Sequence, residues 1–128
     1  MTTYFVSGHL DLTLDEFRAH YIPRIAVAIA DDAAFVVGDA RGCDLMAQLH
    51  LRDARELRVQ VFHMLEKPRN NIGGFPTIGG FTSDVARDAA MTDSSNADIA
   101  WVRPGRNGSG TAANLARRYF KKTQAPSI

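Results

Sequence analysis

Four short apolar runs, each closed by a polar or glycine-rich turn and followed in due course by a helical pattern, constrain this chain more than any other feature. They are Tyr4-Phe5-Val6, Ala33 to Val37, Val59 to Met64 and Ile99 to Val102. A strand with one wet face alternates apolar and polar residues. These runs are apolar almost throughout, as strands covered on both faces are. Helical patterns between such strands predict an α/β fold with three layers, α/β/α, around a parallel sheet of about four or five strands. Crossovers in such a sheet are right-handed.

The helices are signalled locally. Thr13 and Glu16 have the spacing of a capping box, and Leu12 and Phe17 that of a hydrophobic staple. Phe17, Tyr21, Ile25 and Ile29 then make one apolar stripe. Pro23 interrupts it, which predicts a kink or two short helices. A second helix is expected from about Cys43 to Glu56, and a third from a cap at Thr82 or Ser83 to about Met91. The last carries Ala112, Leu115, Ala116, Tyr119 and Phe120 on one face. Its Arg117, Arg118, Lys121 and Lys122 read as a solvated helix end. Residues from Thr123 to Ile128 read as a frayed tail. The segment from Lys67 to Phe81 has glycine pairs, Pro68 and Pro76, and no clear period. It reads as a long loop, a lid or partner contact closing through Phe75, Ile78 and Phe81.

A parallel sheet puts every strand's C-terminal end on one edge, where open α/β sheets bind ligands. That edge collects Ser7-Gly8-His9, the turn Gly38-Asp39-Ala40-Arg41-Gly42, the long loop, and Gly105 to Thr111. A helix that starts at a glycine turn offers free N–H groups and a positive dipole end, hence an anion site. Gly108, Ser109, Gly110 and Thr111 form the better phosphate cradle, and Gly38 to Gly42 a second. Gly38 and Gly42 serve equally as plain turn glycines. Asn114 lies one helical turn beyond Ser109-Gly110 and can share their pocket. Ser7, Gly8 and His9 are further ligand contacts. Asp39 could orient a ribose hydroxyl, act as a base, or bond nearby backbone N–H groups. Arg41 suits a phosphate or a surface ion pair. Asp44 reads as a first-turn helix residue, Cys43 as packing and Trp101 as core. Arg69, Asn70 and Asn71 either reach over a ligand or sit in solvated loop.

Composition narrows the partners. The chain has 128 residues, enough for one domain with its own core over 1–128, and a formal net charge of +1. Such a balance favours neither nucleic acid nor a membrane surface. A single cysteine and no long apolar run point to the cytoplasm. The four histidines show no metal-ligand spacing, so no metal and no other cofactor is expected. Tyr119 and Phe120 offer a patch for a homodimer.

With these residues in place, the chain resembles the SLOG superfamily, Rossmann-like nucleotide-binding domains that include the Lonely Guy phosphoribohydrolases and the DNA-processing protein A family. Val36 to Asp44 is similar to the latter's S-G-x-A-R-G-x-D element. Arg103-Pro104-Gly105 through Asn114 resembles a stretched form of the former's P-G-G-x-G-T-x-x-E. The Ser109-Gly110-Thr111 turn is also similar to that of nucleoside deoxyribosyltransferases, where a glutamate three residues after the threonine is catalytic. Here that place holds Asn114, and an amide cannot act as nucleophile or general base at a glycosidic carbon.

The resemblance therefore implies binding of a nucleotide or nucleotide-derived small molecule, by a sensor or binding module, more than hydrolysis. An N-glycosidase, hydrolase or transferase, is the alternative, with Asp39 as its catalytic carboxylate. A nucleic-acid module like the DNA-processing proteins is a second alternative. It would need a basic groove from Arg41, Arg69, Arg103 and Arg106.

Overall fold

The computed structural model describes residues 1–123, so the tail reading beyond Thr123 lies outside the described residues. The order of elements is β1 (Thr3–Ser7), α1 (Leu14–His20), α2 (Ile22–Ala30), β2 (Ala34–Gly38), α3 (Cys43–Asp53), β3 (Val59–Met64), β4 (Thr77–Phe81), α4 (Asp84–Asp93), β5 (Ala97–Ala100) and α5 (Gly110–Thr123). The five strands form one sheet in the order β4-β3-β2-β1-β5, with every neighbouring pair parallel. The α/β class and the parallel sheet are as expected. No helix among the described residues is long and apolar enough to cross a membrane.

Period-two side chains divide the sheet between two unequal cores. On one face Val6, Phe35, Val37, Val59, Val61 and Ile99 pack with Phe17, Tyr21 and Ile25 of α1 and α2 and with Cys43, Ala47 and Leu51 of α3. On the other, only Phe5, Val36, Phe62 and Met91 form a buried cluster, edged by Phe81 and Ala90. α4 and α5 cover this second face. α5 is held there by Arg118, whose guanidinium donates to Thr92 O, to Ser95 O and to the Asp98 carboxylate. Arg118 is thus buried, not the solvated helix end expected from its basic neighbours. The planar fork satisfies several acceptors at once, which a run of charges in a sequence does not disclose.

Local signals hold at the first helix. Thr13 Oγ1 accepts from Glu16 N, and Glu16 Oε1 accepts from Thr13 N, closing the capping box. Pro23 falls in the first turn of α2, so the stripe is carried by two helices that meet at Tyr21. Ser83, not Thr82, caps α4.

The long loop needs correction. Its last five residues, Thr77–Phe81, are an edge strand that pairs with β3 through an irregular register between Phe62 and Met64. An edge strand that is mostly exposed carries no apolar run. Gly79 lies against the His63 ring, where a Cβ would collide, so a strand reading is masked by residues chosen for close approach. The fourth expected strand is shifted as well: it covers Ala97–Ala100, and Trp101 stands beyond it, stacked on His20 at 4.0 Å.

Tyr21 ties the C-terminal edge of the sheet together. Its buried hydroxyl donates to Ser7 O at 2.8 Å and accepts from Trp101 N at 3.0 Å, bridging the ends of β1 and β5. Tyr21→Phe leaves a buried carbonyl and N–H unpaired. It should lower unfolding stability by about 1–3 kcal/mol, measured as a shift of the urea midpoint at unchanged slope.

Candidate functional site

A cavity of about 470 Å³ opens at the C-terminal edge of the sheet. Its position follows from topology. The chain leaves β1 toward the face of α1 to α3, and leaves β5 toward the face of α5, so the two exits diverge. Such a fork is where open α/β sheets form a crevice. Phe5 and Met91 contribute apolar lining. Ser7, Gly8 and His9 line it from the end of β1, and Ala40, Arg41 and Asp44 from the β2–α3 turn. Arg87 and Asp88 come from α4, and Ser109, Gly110, Thr111 and Asn114 from the start of α5.

The two glycine turns behave differently. At the first, the chain satisfies itself. Asp44 Oδ2 accepts from Ala40 N at 3.1 Å, and His9 O accepts from Cys43 N at 3.2 Å. Gly42 has φ of +73°, and a Cβ there would run into the His9 and Leu10 carbonyls, so the β1 loop seals this helix end. Gly38 and Gly42 do not line the cavity. At the second turn, Ser109 Oγ accepts from Ala112 N at 3.2 Å as a cap. The first-turn N–H groups of Gly110 and Thr111 lack intrahelical acceptors. No acidic residue occupies that turn. Ser109, Gly110 and Thr111 reach the cavity, while Gly108 lies outside its lining.

Asp39 is not where a catalytic carboxylate would be. It is fully buried but absent from the cavity wall. Its Oδ1 accepts from Arg87 Nη1 at 2.8 Å and Arg69 Nη2 at 2.9 Å, and its Oδ2 from Arg69 N at 2.8 Å. Although burial opposes ionisation, the hydrogen bonds and charges of Arg69 and Arg87 hold its carboxyl below the usual carboxylate range. Asn70 Nδ2 donates to Asp39 O at 3.0 Å, so Arg69 and Asn70 anchor the loop to β2. Asn71 instead holds Phe75, through both its amide groups.

Asp44, read from sequence as a first-turn residue, holds that place and also lines the cavity. It is buried, which pushes its pKa up to about 7 against the opposing pull of Arg87. Among the described residues nothing donates to its Oδ1. Ser7 Oγ is likewise buried with no hydrogen-bond partner among them. Asn114 Oδ1 accepts from Arg117 Nη1 at 2.7 Å, leaving its Nδ2 as a donor. His9 Nε2 accepts from Arg103 N at 2.8 Å. Burial, then Arg106 and Arg103, lowers the His9 pKa, so the ring stays neutral as this acceptor role requires.

At the rim, Arg106 and Asp11 belong to an ion-pair group with Arg103 and Glu16. Arg103 pairs with Glu16 at 2.6 Å and with Asp11 at 3.2 Å, and Arg106 with Asp11 at 3.3 Å. The Arg103 hydrogen bond holds Glu16 down to about 2. Cys43 is buried beside Tyr21, and burial pushes its thiol well up, in keeping with packing.

No family model matches this sequence, and no curated protein or solved structure matches the chain.

The raised pKa of Asp44 has a defined sign. A carboxyl that titrates near 7 when folded and near 3.8 when unfolded adds stability below pH 4, and that contribution is lost as pH rises through 7. Asp44→Asn keeps an oxygen for Ala40 N and carries no charge. Its stability relative to wild type should therefore rise between pH 4 and pH 8. Denaturant titrations of both proteins at the two pH values measure it; an unchanged difference would place the Asp44 pKa near its unfolded value.

Proposed function

We propose that this protein binds a nucleotide or nucleotide-derived small molecule, its phosphate resting on the N-terminus of α5. The observation that carries the reading is a fork-point cavity containing both an uncompensated helix N-terminus and a buried hydroxyl, Ser7 Oγ, without a partner. Buried polar groups are paired in nearly all folded proteins, and an exception inside a cavity points to a missing ligand or water. The helix end supplies N–H donors and positive potential for an anion. Asn114 Nδ2 and the nearby Arg106 extend the donor set. Phe5 and Met91 offer apolar contact to the rest of the ligand, as small-molecule sites generally do.

The proposed site agrees with the SLOG-like resemblance at Ser109-Gly110-Thr111 more than at Gly38 to Asp44, whose donors are spent internally. Binding by a sensor or module remains the preferred form. Asn114 stands where a glycosidase of that kind carries glutamate, and Asp39 is committed to two arginines. Of the four arginines that the nucleic-acid reading calls on, Arg69, Arg103 and Arg106 are each paired with carboxylates and Arg41 is not, which favours the small-ligand reading.

Gly110 gives a clean test. A Cβ at this position meets no other atom within 4 Å, and a carboxylate in the first turn favours the helix. Gly110→Asp should thus fold as well as wild type yet repel a phosphate. Calorimetric titration with nucleoside mono-, di- and triphosphates should show binding by wild type, weakened by the substitution about tenfold or more. Absence of binding by the whole panel, or equal binding by the variant, defeats the proposal.

A further inference from the structure

Two polar groups at the cavity, the buried Ser7 Oγ and the Oδ1 of Asp44, have no hydrogen-bond partner among the described residues, and the segments that carry them follow adjacent strands. Ser7 Oγ ends β1, and Asp44 Oδ1 opens α3 above β2. The two chain segments are pressed together beside them: a Cβ on Gly8 would sit 2.6 Å from Cys43 Cβ. Asp44 cannot swing away, since its Oδ2 is held by Ala40 N. The α5 N-terminus also lines the cavity, and it follows β5, which lies on the other side of β1 from β2.

We infer that Ser7 and Asp44 form a subsite for the vicinal hydroxyls of a ribose, and that the ligand is a ribonucleotide in preference to its 2′-deoxy counterpart. This rests on the nucleotide reading above. A phosphate on α5 lies over the β5 side of the fork. In the strand order β1, with Ser7 at its end, comes next to β5, and β2, whose turn leads to Asp44, lies beyond β1. In a 5′-nucleotide the group next to the phosphate is the sugar. A carboxyl oxygen that no donor meets can accept, and a hydroxyl both donates and accepts, so together they suit a pair of O–H groups. A site built to hydrogen-bond a hydroxyl rejects an analogue that lacks it, because its own buried group is left unpaired.

The test compares AMP, GMP, CMP and UMP with dAMP, dGMP, dCMP and dUMP, and with inorganic phosphate alone, by calorimetry at one pH and salt concentration. Wild type should bind the best ribonucleotide about tenfold or more tightly than its deoxy form, the worth of one good hydrogen bond to a charged group. Asp44→Asn and Ser7→Ala should each narrow that gap. Ser7→Ala deletes a hydroxyl that bonds nothing in the protein, so its melting temperature should stay unchanged. Equal binding of ribo and deoxy forms by wild type overturns the diol subsite but leaves the nucleotide site standing. So does an undiminished gap in both variants. Failure of every nucleotide to bind overturns both readings.

Discussion

Asp39 is a fully buried carboxylate at the end of a central strand, and an ion so placed must find cations or not ionise. It collects two guanidiniums from distant parts of the chain. Arg87 comes from α4, and Arg69 comes from the segment that joins β3 to β4. One side chain thereby ties β2 to the helix that covers it and to a connection that has no helix of its own. Both arginines also stand at the cavity, so the pairing that secures the loop edge also sets one wall of the site. Removing a partner from a buried pair such as Asp39 and Arg87 costs about 3–5 kcal/mol, while the half-exposed Arg69 is screened by solvent and counts for less. The carboxylate that sequence reasoning offered as a catalyst is thus more plainly an organiser.

The unequal cores explain why a cavity exists at all. On the face of α1 to α3, large apolar side chains fill the space up to the strand ends, and Tyr21 seals the fork from that side. On the other face the buried apolar cluster is small. α4 and α5 are fixed there largely by polar means, Arg87 on Asp39 and Arg118 on Asp98 and the Ser95 carbonyl. Ion pairs and carbonyl contacts hold helices at set positions without filling volume as Leu or Phe would. The space left between β1, α4 and α5 is the cavity.

Strands buried on both faces announce themselves, which is why β1, β2, β3 and the sheet's parallel sense were legible from composition along the chain. The capping box at Thr13 was equally legible, because its partners are three residues apart. What could not be read were interactions between distant residues of ambiguous type. Asp39 and Arg69 are thirty positions apart, and Asp39 and Arg87 forty-eight. Nothing local marks either as the other's partner. β4 was missed since an edge strand needs no apolar run. Ser7, Gly8, His9, Arg41, Ser109, Gly110, Thr111 and Asn114 do meet at one cavity. Gly38, Asp39, Gly42 and Gly108 do not line it. Asp44 was recognised for its helix position, and its second role required knowing that β1 and α3 abut.

The contrast between the two glycine turns has a reason that is visible in sequence once stated. Both connect a strand to a helix, and both carry the glycines that let backbone N–H groups converge. Helix α3 has an aspartate at its second position, and that carboxylate turns back on the Ala40 N–H. The chain's own carboxyl thus occupies that site. Helix α5 has no acid in its first turn, and its cap, Ser109, is neutral. A neutral cap satisfies one N–H and leaves the dipole's positive end uncompensated. A first-turn carboxylate satisfies the donor and the potential together. Glycine spacing alone therefore identifies where a phosphate loop is geometrically feasible. The charge of the first helical turn decides whether the chain has already filled it, and on that criterion the β5–α5 turn is the one available to a ligand.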